Sequence, residues 1–238
     1  MSEPGTSARR ERVVYIPGLD GTGRLLFRQP RLHAEYDVRC ISHPQDSTHT
    51  YADLVANAAK PLEESGGGIV LAESFGGAVA LRLALERPEL VRRLVLVNTF
   101  AWFPRRAYIE PLAWFGPLLP AKRSHSASRS FRSLLFFSPD IAAADRTKWW
   151  DLTADVPLSA YGRRFGLIAG LDLRPWLPEI QTPALVIAAP DDRVVPASAG
   201  RSLAQRLPNA RLLQPRVGHT ALIHPRLDLA ELLVNNPV

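Results

Sequence analysis

Ser74 stands where an apolar run meets a helical pattern. Ile69-Val70-Leu71-Ala72-Glu73 leads into it, and Phe75-Gly76-Gly77-Ala78-Val79-Ala80-Leu81-Arg82-Leu83 leads away. A strand, a one-residue corner and a helix push a serine hydroxyl out at the carboxyl edge of a parallel sheet. The small residues beside Ser74 let strand and helix come close enough to make that corner. A serine hydroxyl is a poor nucleophile until an imidazole takes its proton, and a carboxylate must hold that imidazole in the right tautomer. The chain offers Asp191 and Asp192 after one apolar run and His219, behind Gly218, after a later one. Serine, acid and histidine thus each fall in a loop just past a predicted strand, where a sheet would gather them at one edge.

The elements that must position them follow a strand–helix alternation. Arg12–Ile16 reads as a first strand and about Tyr36–Ile41 as a second. Tyr51–Leu62 has helical spacing and ends at Ser65-Gly66-Gly67-Gly68, and the helix after Ser74 runs to about Glu86. Strands follow at Leu94–Asn98, Thr182–Ala189 and near Arg211–Leu213, with helices at about Ala197–Arg206 and Pro225–Asn235. From Thr99 to about Gly170 the alternation stops. That stretch is rich in aromatic residues and cut by prolines into short helices at most, with Ser138-Pro139-Asp140 resembling a helix start.

Pro17-Gly18-Leu19-Asp20-Gly21-Thr22-Gly23 follows the first strand. A phosphate loop needs Lys and Ser/Thr after the last glycine, but Arg24-Leu25 follow; a dinucleotide fingerprint needs a third glycine where Leu26 stands. Both readings are weak. Asp20 reads as a turn residue. The 238 residues suit one α/β domain, with 46% hydrophobic content for a core. The single cysteine, Cys40, excludes an intramolecular disulfide and a cysteine-based metal cluster. The net charge of +6 comes from scattered arginines, a solvated surface and not a nucleic-acid footprint. With no apolar leader and no run long enough to cross a bilayer, the expectation is a cytoplasmic protein without stable membrane insertion.

Taken together, the Ala-Glu-Ser-Phe-Gly-Gly corner and the order Ser74, Asp192, His219 resemble the α/β-hydrolases, over about residues 12 to 236. The resemblance implies an α/β-hydrolase fold: six parallel strands in the order 2-1-3-4-5-6, flanked by helices. Residues 1–98 and 171–238 would be the core and 99–170 a small helical cap. It selects Asp192, because Asp followed two residues later by Val-Pro fits Asp192-Arg193-Val194-Val195-Pro196; Asp191 caps the turn. The alternative acid position, after the strand that follows the elbow helix, holds Asn98. His219 is the base by position. His33, His43, His49, His125 and His224 are expected in surface or capping duty. The glycine loop after the first strand becomes an oxyanion loop, with backbone donors at Leu19 and Phe75, although Pro17-Gly18 stands where the family often has His-Gly.

The implied activity is that of a serine carboxylesterase acting on small esters of short to medium acyl chain, with no metal and no cofactor. Trp102, Trp114, Phe115 and Phe136 are the expected cap contributions to the substrate pocket, and Glu73 is expected only to brace the elbow. Acyl transfer or thioester hydrolysis through the same serine is the nearest alternative, and a non-catalytic receptor on the same fold is a third. Oligomeric state is left open; the second strand, near an edge, could pair with a copy.

Overall fold

Alternate residues of the central strands enter two different apolar clusters, which is what a parallel sheet covered on both faces requires. In the computed structural model, which describes residues 10–115 and 129–236, β1 is Arg12–Ile16, β2 Asp37–Cys40, β3 Gly68–Glu73, β4 Val91–Val97, β5 Ala184–Ile187 and β6 Ala210–Leu213. They form one all-parallel sheet in the order β2-β1-β3-β4-β5-β6. Val14, Ile16, Val70, Ala72, Leu94, Leu96 and Val186 face one cluster. Val13, Tyr15, Ile69, Leu71, Val95, Val97 and Ile187 face the other. Each Val, Leu or Ile side chain enclosed in this way contributes roughly 1.5–3 kcal/mol.

The first face is covered by α2 (Tyr51–Glu63), α3 (Phe75–Glu86) and α8 (Ala197–Arg206), and the second by α1 (Pro30–Glu35) and α9 (Leu229–Asn235). A capping box opens α2: the Asp53 N–H donates to the Thr50 hydroxyl, and the Asp53 carboxylate accepts the Thr50 N–H. Its end is set by Gly66 and Gly67, at φ of 70° and 100°. The closing helix is shorter than its periodicity suggests. Gln29 Nε2 donates to the carbonyls of Leu222 and Leu227, which holds the chain in turns there, so α9 starts only at Leu229, capped by Asp228.

Between β4 and β5, the described residues include the α-helices α4 (Arg106–Phe115), α5 (Arg129–Phe136), α6 (Ala143–Leu152) and α7 (Leu158–Ala169). Pro111 sits inside α4 instead of ending it. The helix expected from Ser138 begins five residues later, because Arg146 takes the carbonyls of Ser138, Pro139 and Ile141 with its guanidinium and closes a turn ahead of α6. Phe137, Ile141, Trp149 and Trp150 pack with Leu25 and Ile223, so this segment rests on the loops at the carboxyl edge of the sheet. A bidentate Arg28–Asp145 pair adds a polar tie. No described helix is long and apolar enough to cross a membrane.

Candidate active site

Ser74 has φ 49° and ψ −122°, a conformation unfavourable for any residue with a Cβ. Neighbouring elements over-determine it. The Ser74 N–H donates to Val97 O at 3.0 Å, and its carbonyl accepts from Gly77 N and from the Thr99 hydroxyl. The two glycines are required by close approach: a Cβ on Gly76 would lie 2.5 Å from the carbonyls of Ile16 and Pro17, and one on Gly77 2.0 Å from Thr99 Oγ1. Larger residues would force α3 away from β1 and β4 and open the corner.

His219 Nδ1 donates to Asp192 Oδ2 at 2.8 Å. Asp192 Oδ1 accepts the N–H groups of Val194 and Val195 at 2.7 and 2.9 Å, which fixes the orientation of the carboxylate. Asp191 accepts the Gly218 N–H, and Gly218, at φ 63°, lets the chain turn into His219. Burial works to lower the His219 pKa, but the Asp192 carboxylate and, more remotely, Glu73 outweigh it, so it lies above the ordinary 6.5.

Ser74 and His219 line the same cavity of about 370 Å³, together with Gly18, Leu19, Asp20 and Glu73. Gly18 is close enough that its missing Cβ would meet Ser74 Cβ at 3.4 Å, so the loop after β1 lies directly beside the serine. Phe75 opens α3, where N–H groups lack intrahelical acceptors; its ring is buried against those of Tyr51 and His43. The rest of the wall is mostly apolar, supplied largely by Phe100, Phe103, Phe136, Trp149, Phe165 and Ile168. Phe136 also lies 5.8 Å from the His219 ring, centroid to centroid.

The other aromatic expectations fare differently. Trp102 is in a separate surface groove, with the Arg174 guanidinium 4.4 Å over its ring, because the chain leaving β4 turns its side chain toward α8. The side chains of Trp114 and Phe115 lie outside the described residues. Of the histidines expected in surface or capping duty, only His33 is exposed, while His125 lies outside the described residues. His43, His49 and His224 are buried. His43 Nε2 donates to Pro17 O, and burial, aided by the Arg164 charge, drives its pKa down to about 3.

Two residues gain importance from the tertiary arrangement. Glu73, expected only to brace the corner, is a buried wall residue of the cavity whose carboxylate accepts the Tyr15 hydroxyl hydrogen bond. Burial, reinforced by Asp20, raises its pKa from 4.5 to about 7. Asn98 adopts φ 47°; its Nδ2 donates to the carbonyls of Gly218 and His219, and its Oδ1 accepts the Ala189 N–H. It therefore ties the β4 end to the loops carrying Asp192 and His219. An asparagine directly after a buried strand was the available signal, since asparagine tolerates the left-handed region. Among the described residues, no group of three or more His, Cys, Asp or Glu is arranged to hold a metal ion.

A doubly covered parallel sheet with a strained serine corner, and a histidine–aspartate pair on the same edge, is the framework of a hydrolase. The chain belongs to the alpha/beta hydrolase family, whose model matches residues 6–232. It is 29% identical to 2-hydroxymuconate semialdehyde hydrolase from Pseudomonas putida, over 92% of this chain and 81% of that one. It is 27% identical to pimeloyl-[acyl-carrier protein] methyl ester esterase from Aromatoleum aromaticum, over 92% and 85% respectively. In three dimensions it resembles an esterase (EaEST) from Exiguobacterium antarcticum, with a TM-score of 0.82 over 95% of this chain and 91% of that one. Their identity is 16%, so that likeness speaks to the fold.

Proposed function

We propose that this hydrolase is a serine carboxylesterase, with Ser74 as nucleophile, His219 as general base and acid, and Asp192 as the orienting carboxylate. The observation that carries this reading is the 2.8 Å hydrogen bond to Asp192 made by His219, which lines the same largely apolar cavity as Ser74. Ser74 Oγ attacks the ester carbonyl carbon while His219 Nε2 takes its proton. The N–H groups of Leu19 and Phe75 receive the developing oxyanion. Collapse of the tetrahedral intermediate breaks the ester C–O bond, and His219 returns the proton to the departing alcohol. Water, deprotonated by His219, then attacks the acyl carbon; the bond to Ser74 Oγ breaks, His219 returns the proton to Ser74 Oγ, and the carboxylic acid leaves.

Residues 99–170 act in this reading as the cap that closes the acyl site. A cavity of about 370 Å³ sits at the small end of the roughly 300–1,000 Å³ range of ligand pockets, which favours short to medium acyl chains. The methyl ester esterase among the relatives supports a carboxylic ester as substrate. The test is turnover of p-nitrophenyl esters of graded chain length by the purified protein and by Ser74→Ala. Turnover that peaks at short to medium chains and vanishes in the variant is expected. No turnover at any length, or equal turnover by Ser74→Ala, would sink the reading.

A further inference from the structure

Three successive peptide units of the loop after β1 have their carbonyls held. The Pro17 carbonyl accepts from His43 Nε2 at 3.0 Å. The Gly18 carbonyl accepts from the Gly21 N–H at 3.1 Å, and it shares its rigid peptide plane with the Leu19 N–H. The third clamp comes from far away in the chain. Arg164, on α7, is completely buried; its Nη1 donates to Leu19 O at 2.6 Å and to Asp20 O at 3.2 Å. Its Nη2 donates to Pro44 O at 2.7 Å and approaches Gln45 Oε1 at 3.4 Å. All four acceptors are uncharged, so a desolvated cation is spent on holding backbone carbonyls together. Gly21 has no side chain to spare: a Cβ there would lie 2.6 Å from Arg164 Nη2. A planar fork that reaches two loops at once is something arginine provides and lysine does not.

From this geometry we infer that Arg164 is a positioning residue for the oxyanion donor: it fixes the peptide that follows Leu19 and so makes the seating of α7 a condition for aiming the Leu19 N–H. The inference rests on the reading of Ser74 as nucleophile. In this arrangement the segment between β4 and β5 does more than wall the pocket, because displacing α7 releases the donor loop.

The test uses a fluorophosphonate, whose attack by serine places negative charge on an oxygen in the same hole and requires no knowledge of the natural ester. Labelling rates are compared for the wild type, Arg164→Met and Arg164→Lys, alongside kcat and KM on p-nitrophenyl butyrate and the affinity of the product butyrate. Losing a whole oxyanion donor costs about 10²–10³ in kcat, so misaiming one is expected to slow labelling and kcat about 10- to 100-fold, with KM and butyrate affinity within about threefold. Circular dichroism checks folding, and Arg164→Lys, which keeps the charge and most of the volume, carries the test if the methionine variant does not fold. Wild-type protein that resists labelling would overturn the nucleophile reading itself. Wild-type protein that labels at Ser74, with a folded variant labelling equally fast or changing only KM, would overturn the role of Arg164 alone.

Discussion

Glu73→Gln separates a buried ionisable wall from an inert one. In the folded protein Glu73 is surrounded by the sheet and the cavity, and burial lifts its pKa from 4.5 to about 7, with Asp20 adding to the rise. The sign follows directly. Unfolded chains release this proton near pH 4.5, whereas the folded state holds it until about pH 7. Its contribution to stability is therefore complete below pH 4.5 and is lost as pH rises to 7. At about 1.4 kcal/mol per tenfold, the loss amounts to about 3 kcal/mol. Glutamine has the same shape, still accepts the Tyr15 hydroxyl, and cannot ionise. Relative to wild type, Glu73→Gln should thus gain about 3 kcal/mol between pH 4.5 and 8.5, or about 6–12 °C in Tm for a chain of this size. Thermal melts of both proteins at the two pH values measure the difference, and the other titrating groups cancel in the comparison. A Tm difference that stays the same at both pH values would refute the claim that the folded environment perturbs Glu73.

Three further outcomes are expected. Asp192→Asn leaves the shape of the site but removes the carboxylate that selects the His219 tautomer, so kcat should fall by about 10³–10⁴; in the unsubstituted protein, activity should fall as pH drops through a value above 6.5, because His219 must be neutral to take the Ser74 proton, and a kcat/KM profile flat down to pH 5 would contradict this. Asn98→Ala strands two carbonyls and one N–H in a buried corner, at about 1–3 kcal/mol for each group left unpaired; urea unfolding should show a loss of at least 2 kcal/mol, with kcat lowered along with it, and a loss below about 0.5 kcal/mol would remove Asn98 from the frame.

The central strands were legible because the sheet is covered on both faces there and each is a short apolar run, and because glycines or prolines mark where runs stop. The serine corner was legible for a local reason as well: Ala72, Gly76 and Gly77 flank Ser74 in sequence, and their smallness is a condition of the turn. What misled was direction. Trp102 and Phe136 belong to the same aromatic-rich stretch, yet one ring lies under Arg174 in a surface groove and the other beside His219. Nothing in residue type distinguishes them; the path of the chain after β4 does. Histidines 43 and 49 misled similarly, since burial of an imidazole depends on what folds over it, whereas His224, though buried, accepts the Arg226 N–H as a turn cap.

The chain by itself determined the strand–helix alternation, the parallel sheet and the residue types delivered past its strand ends, because apolar runs, helix punctuation and right-handed crossovers are properties of short segments and their succession; the strand order came from the resemblance to the α/β-hydrolases. The tertiary structure alone decided which side chains touch. Arg164 reaches Leu19 across 145 positions of sequence, Asn98 reaches Gly218 across 120, and Tyr15 reaches Glu73 across 58. Contacts of that span depend on how α7, the ends of β4 and β6, and the neighbouring strands β1 and β3 seat against one another, and a carboxylate or guanidinium acquires its protonation and its purpose only from that seating.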